Sequence, residues 1–262
     1  MIIDYNKYKR VFAFGCSFTN YVFPTWADII INEMPNSESH NFGRAGAGNH
    51  YIACSIAEAN TRFKFNETDL VMVMYTTAFR EDRYIDGRWR TNGNIYNQQF
   101  YDKNFVKKYV DPVGCVVRDL ALIEMSRRYV EMLPCDTFLL RSSPLEHEAA
   151  DLLDSNMSNV IDVYKDMYTD FPPTIQETMF PQGWVGKIER GTPGNMFLDS
   201  HPLPIDYYNY LIKLGVNLTD KEYAEKSTEM AFQAKPDNSD WEELFPEMAT
   251  RNNLSEQLMF FK

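Results

Sequence analysis

Val11-Phe-Ala-Phe-Gly-Cys-Ser-Phe-Thr19 is the stretch on which the reading of this chain turns. The unbroken apolar run from Val11 to Phe14 reads as a strand covered on both faces, as in the middle of a parallel sheet. Gly15 lets the chain turn sharply where the strand ends, and the turn leaves the Ser17 hydroxyl at the rim of the sheet. Taken alone, the segment is equally a Ser/Thr-rich turn that feeds a helix cap.

Working outward, Thr25 can cap a helix that carries Trp26, Ile29, Ile30 and Met34 on one face. Ser39 to Gly43 reads as a second short strand, followed by a glycine-rich turn and a helix through Tyr51 to Ala59. Leu70 to Tyr75 is apolar throughout and is the clearest strand. Pro112 to Leu133 has helical periodicity, Thr137 to Leu140 is another strand, and Ile205 to Leu214 another helix. Leu145 to Tyr168 is acidic and reads as helical. Strands alternating with helices predict an α/β fold: a three-layer α/β/α sandwich with a central parallel sheet, flavodoxin-like in plan. Two stretches interrupt it, 76–112 and 172–194, and both read as irregular insertions. Residues 1–214 are expected to form the domain. Residues 215–262 read as a helical appendage, anchored by Trp241, Phe245, Met259, Phe260 and Phe261, that packs on the domain or on a partner.

Composition bounds the function. The chain has 262 residues, 44% apolar and 15% aromatic, with 26 basic against 37 acidic side chains. That balance repels a phosphate backbone, so general nucleic-acid binding is not expected. The basic run Arg80 to Arg90 is interrupted by Glu81, Asp82 and Asp86, and reads as a solvated or substrate-facing loop. No segment approaches the ~20 apolar residues of a membrane span, and the N-terminus does not resemble a signal peptide. A cytoplasmic protein is expected, with Cys16, Cys54, Cys115 and Cys135 as free thiols. The histidines His40, His50, His147 and His201 show no HxH or HxxxH spacing, so neither metal nor other cofactor is expected.

Three short segments carry chemistry. The first is Gly15-Cys-Ser-Phe-Thr19. The second is Asn41-Phe-Gly43-Arg-Ala-Gly46-Ala-Gly48-Asn49, whose glycines leave backbone N–H groups free to face an anion or an oxyanion. Its glycine spacing differs from GxGxxG, so a nucleotide loop is the weaker alternative. The third is Asp199-Ser-His201-Pro-Leu-Pro204, where a tight turn lets Asp199 reach the imidazole of His201 and fix its tautomer. Each has a plain structural alternative: a cap, a glycine turn, a core histidine.

Their order, strand–GxSxT, then NxGxxGxxN, then DxHP, resembles the SGNH (GDSL-type) hydrolase superfamily, over residues 10–77 and again 197–214. GCSFT followed by a third block of the kind Tyr75-Thr-Thr-Ala-Phe-Arg80 is also similar to uncharacterised proteins of large phages. The resemblance implies a catalytic set of Ser17 as nucleophile, His201 as general base and Asp199 as its orienter. It implies an oxyanion hole from the N–H groups of Ser17 and Gly46. Two departures stand out. Cys16 replaces the aspartate the family carries before its serine, and is expected to pack rather than react. The third block lacks the family's asparagine, so Asn49, Thr77, Thr76 or Arg80 is expected to donate in its place. Arg80, His50 and Tyr75 are expected to contact substrate.

Two functions from different classes follow. One is a serine ester hydrolase acting on an acylated small molecule or glycan, with the aromatic, polar stretch from Tyr84 to Tyr101 favouring O-acetyl removal from carbohydrate. The other is a weakly active or inactive protein of SGNH-like fold serving an assembly, for instance a homo-oligomer or a phage virion built through the C-terminal tail.

Overall fold

The computed structural model describes residues 2–144, 162–181, 188–190, 197–199, 201–234, 240–246 and 248. Its centre is a parallel sheet of β1 (Arg10–Phe14), β2 (Glu38–Asn41), β3 (Asp69–Tyr75) and, after a hairpin of β4 (Arg80–Ile85) and β5 (Arg88–Asn94), β6 (Asp136–Arg141). The strand order is β2-β1-β3-β6, with every pair parallel. The chain leaves β1 for β2 on one side and then crosses to β3 on the other. The carboxyl ends of β1 and β3 therefore flank a switch point, where α/β sheets open a crevice.

Side chains alternate across the sheet as the two-residue period of a strand requires. Phe12, Phe14, Val71, Val73 and Tyr75 face one layer, where they meet Ile52 and Ile56 of α2 (Asn49–Phe63) and Leu120 and Ile123 of α4 (Pro112–Glu131). Val11, Ala13, Leu70, Met72, Met74, Phe138 and Leu140 face the other. There they meet Trp26 and Ile30 of α1 (Trp26–Asn32) and Tyr207 and Leu211 of α7 (Pro204–Lys213). Burying each such side chain is worth about 1.5–3 kcal/mol. The three-layer α/β/α expectation matches this arrangement. Thr25 stands at the N-cap of α1, with the Asp28 carboxylate accepting its backbone N–H at 2.9 Å.

The stretch 76–112 is not the irregular loop expected from its polarity. β4 and β5 pair antiparallel through Asp86-Gly87, whose φ values of 53° and 75° suit the tight turn that follows the twist of a hairpin. The strands were hidden because charged and polar side chains occupy most positions, with only Asp82 and Trp89 buried. α3 (Lys103–Tyr109) follows, capped by the Asp102 carboxylate. The second irregular stretch also holds structure: α6 (Ile175–Met179) starts with Thr174 and Glu177 capping each other. β7 (Ile188–Arg190) pairs antiparallel with β8 (Phe197–Asp199), with Ile188 opposite Asp199. Of the helix expected over 145–168, residues 145–161 lie outside the described part. Its end merges with α5 (Lys165–Asp170).

After α7, the chain continues in α8 (Lys221–Gln233) and α9 (Trp241–Leu244). The Thr228 hydroxyl accepts the Ile205 N–H at 2.9 Å, and Phe245 and Met248 are buried with Phe23 and Leu203. Met259, Phe260 and Phe261, expected as further anchors, lie outside the described residues. Among the described residues no helix is long and apolar enough to cross a membrane, and all four cysteines are free thiols.

Candidate active site

Gly15 is fixed by space. A Cβ there would sit 2.0 Å from Thr19 Oγ1, because the chain folds back at once, with the Thr19 N–H donating to the Cys16 carbonyl at 2.9 Å. That turn buries Cys16 and sets Ser17 on the wall of a cavity of about 500 Å³ at the carboxyl end of the sheet. Among the expected residues, Gly46, Thr77, Arg80 and His201 line the same cavity.

Asp199 and His201 are joined as their spacing suggested. His201 Nδ1 lies 2.6 Å from Asp199 Oδ1, which also accepts the His201 backbone N–H at 2.9 Å. Tyr21 adds a part the sequence did not reveal. Its hydroxyl donates to Asp199 Oδ2 at 3.0 Å, and its ring stacks on the imidazole at 3.7 Å. Phe18 meets the imidazole edge-on at 5.5 Å. The ring is thus held on two sides with Nδ1 committed to the carboxylate, leaving Nε2 as the nitrogen able to take a proton. Among the described residues Ser17 Oγ makes no hydrogen bond, to His201 or to any other group. Bonds of this kind tighten when substrate arrives.

The glycine turn is mostly spoken for. The Gly43 N–H donates to Asn41 Oδ1 at 3.0 Å, and the Gly48 N–H to the Asp82 carboxylate at 2.9 Å. The N–H groups of Ser17 and Gly46 make no hydrogen bond among the described residues. Gly46 has φ +73°, and a Cβ there would lie 2.2 Å from the Thr91 carbonyl oxygen. The hairpin therefore packs directly on the turn. Asp82 also accepts the Tyr51 N–H at 2.9 Å, so β4 caps the start of α2 from outside. Burial raises the Asp82 pKa, opposed by these backbone donors.

Three expected contacts are corrected. Asn49 is buried away from the cavity: its amide donates to the Thr76 carbonyl and to Asp119 Oδ1, each at 3.0 Å, and accepts the Thr76 N–H. It clamps the end of β3 to α2 and α4, so it is not an oxyanion donor. Tyr75 is a core residue whose hydroxyl meets Ser126 at 3.0 Å, and burial raises its pKa. His50 is exposed and packs edge-on against Trp89 at 5.4 Å, outside the cavity. Thr76 is also buried, whereas Thr77 reaches the cavity, with Oγ1 accepting from Arg80 Nε at 3.2 Å. Arg80 is further held by the Ala47 carbonyl at 3.0 Å.

The cavity has polar walls the sequence did not suggest: Asn94, Ser142, Ser143 and Gln176. Asn94 pairs with Arg80 across the hairpin, just beyond a register shift between Arg80 and Asp82. Its Oδ1 accepts the Tyr96 N–H at 2.8 Å, which leaves the amide N–H₂ to donate. The hairpin thus brings an asparagine to the cavity that Ser17 lines. Ser142 and Ser143 follow β6 as Ser17 follows β1.

No family model matches the chain, and the search of curated proteins found no match. Among solved structures, it is similar to the crystal structure of a member of the lipolytic protein G-D-S-L family from Veillonella parvula DSM 2008. The TM-score is 0.43 and the identity 13%, over 78% of this chain and 97% of that one. At that TM-score and identity, the likeness adds nothing to the chemistry read from the site.

Proposed function

We propose that the chain is a serine ester hydrolase whose substrate is an acylated carbohydrate. The observation that carries it is the His201–Asp199 contact at 2.6 Å on the same cavity wall as Ser17. Ser17 Oγ attacks the acyl carbonyl carbon while His201 Nε2 takes its proton. The tetrahedral oxyanion is met by the N–H groups of Ser17 and Gly46, with Asn94 or Thr77 as a side-chain donor. Collapse expels the alcohol, which receives the proton from His201, and leaves an acyl-serine. Water then gives a proton to His201 and attacks the acyl group; collapse releases the acid as His201 returns the proton to Ser17 Oγ. Asp199 stays ionised, accepts hydrogen bonds from the Tyr21 hydroxyl and from the His201 backbone and ring, and stabilises the imidazolium.

Carbohydrate is favoured by the polar lining of Ser142, Ser143, Gln176, Asn94 and Arg80. The nearby hairpin and its following segment expose Tyr84, Tyr96 and Phe100, aromatic faces suited to stacking on sugar rings. A second reading, an SGNH-like domain that binds without turnover, is favoured by the missing Ser17 Oγ–His201 hydrogen bond. Hydrolysis of p-nitrophenyl acetate by the chain and its Ser17→Ala variant separates them. Turnover that disappears with Ser17 supports the hydrolase. Equal, background rates, repeated on acetylated xylan and acetylated pectin, move the assignment to the binding domain.

A further inference from the structure

The hairpin that closes the Ser17 cavity also walls a second one, of about 570 Å³, on its other side. Arg83, Arg90 and Asn92 line it from the hairpin, and Phe100, Tyr101 and Phe105 from the segment beyond. Arg83 and Arg90 are direct cross-strand partners. Like charges set opposite each other destabilise a hairpin, a cost that an anion bound by both guanidinium groups would relieve.

The protein's own acids do not fill that role. Glu81 meets Arg83 at 3.1 Å but is shared with Arg118 at 2.9 Å. Asp102 also borders the cavity; its Oδ1 is turned to the Asn104 and Phe105 N–H groups at the start of α3, and no ion pair joins it to Arg83 or Arg90 among the described residues. The Arg90 side chain makes no ion pair or hydrogen bond among the described residues. Charge is concentrated here too: residues 80–110 carry seven Lys and Arg against four Asp and Glu, in a chain whose totals are 26 and 37.

The walls add an apolar, ring-shaped preference. Phe100 is 55% exposed, the Tyr101 hydroxyl is pinned to the Glu81 carbonyl at 3.1 Å, and the Arg83 guanidinium lies over the Phe105 ring at 5.1 Å. Guanidinium pairs suit a planar carboxylate, and aromatic faces suit the C–H face of a sugar. β5 serves both cavities, Asn92 lining this one while Gly93 and Asn94 line the other.

We propose that this second cavity is a subsite for a carboxylate-bearing sugar unit. The further statement that this unit belongs to the same glycan whose ester enters the Ser17 cavity rests on the hydrolase reading; the binding itself does not.

The test is calorimetric titration of the full chain carrying Ser17→Ala with a short oligogalacturonate, a neutral cello-oligosaccharide of equal length, and inorganic phosphate. The oligogalacturonate is expected to bind, with the neutral sugar and phosphate each roughly tenfold weaker or more. Arg83→Ala and Arg90→Ala are each expected to weaken it roughly tenfold or more, the loss of a hydrogen bond to a charged group. Arg88→Ala, an exposed arginine of the same hairpin outside the cavity, is expected to leave it unchanged. Thermal unfolding of each variant separates lost binding from lost folding. No binding, equal binding of the neutral sugar, phosphate binding as tightly as the oligogalacturonate, or an equal loss in Arg88→Ala overturns the proposal. Because the titration uses a chain without Ser17, it stands or falls separately from ester turnover.

Discussion

Gly46 and Gly87 share nearly the same backbone, φ +73° and +75°, in different surroundings. An alanine Cβ at Gly87 meets nothing within 4 Å, whereas at Gly46 it falls 2.2 Å from the Thr91 carbonyl oxygen and 3.0 Å from the Gly93 nitrogen. Holding an L-residue in the left-handed region costs about 1–2 kcal/mol. Gly87→Ala is therefore expected to lower stability by about 1 kcal/mol, or about 2–4 °C in Tm for a chain of this size. Gly46→Ala carries the same strain plus a clash that side-chain motion cannot relieve, since both obstructing atoms are main chain. With about 1–3 kcal/mol for overpacking added, its loss is expected to reach about 3 kcal/mol. β5 must retreat, and it takes Asn94 with it. The two proposed oxyanion donors then shift at once, and ester turnover is expected to fall about 100-fold or more in protein that is still folded. Urea denaturation reads the first effect and p-nitrophenyl acetate hydrolysis, well below both melting points, reads the second. Equal stability losses in the two variants, or undiminished turnover in Gly46→Ala, would refute the idea that the hairpin sets the shape of the site through this turn.

Asp82→Ala strips the acceptor from the buried Gly48 and Tyr51 N–H groups. Urea denaturation is expected to show a loss of about 2–4 kcal/mol, and less than about 1 kcal/mol contradicts the capping role. Tyr21→Phe keeps the ring on His201 and removes the hydroxyl from Asp199; steady-state kinetics should show kcat falling roughly 3- to 10-fold, about one hydrogen bond's worth. An unchanged kcat would remove Tyr21 from the positioning of the imidazole. Stability should depend on pH through His40, stacked on Phe12 and Phe42, where burial holds the imidazole below its ordinary value even though Glu38 lies beside it. The unfolded chain takes up this proton near pH ~6.5 and the folded chain only at lower pH, so stability is lost as pH falls below that point. Urea midpoints at a series of pH values should fall on the acid side, and fall less in His40→Phe; identical pH slopes in the two proteins would assign the effect elsewhere.

How far the sequence reached depends on whether a signal was local. β1, β3 and the helices beside them were legible because burial on both faces writes a continuous apolar run, and burial on one face writes a helical period. Asp199 and His201 were legible as a pair because two residues of chain suffice to bring a carboxylate to an imidazole. The hairpin was not, although Asp86-Gly87 is a turn signal, because its strands carry Arg, Glu, Asp and Tyr where apolar alternation was sought. Asn49 was misassigned because its neighbourhood in sequence is a glycine turn, while its bonding partners, Thr76 and Asp119, come from elements far along the chain. The same reason hides Tyr21, Asn94, Ser142 and Gln176 as parts of the site. Tyr21 comes to His201 from the loop between β1 and α1, and Asn94, Ser142 and Gln176 stand at the ends of different elements that only the strand order β2-β1-β3-β6, with its hairpin insertion, sets around one cavity.

The central claim is that Ser17 is a nucleophile activated by His201. Its most direct measurement is mass spectrometry of the chain after treatment with a fluorophosphonate, with the adduct located by tandem sequencing of the peptide containing Cys16 and Ser17. A single adduct on Ser17 Oγ, abolished by Ser17→Ala and strongly slowed by His201→Ala, is the expected result. An unmodified chain, an adduct on Cys16, or labelling of Ser17 at the same rate without His201 would contradict it.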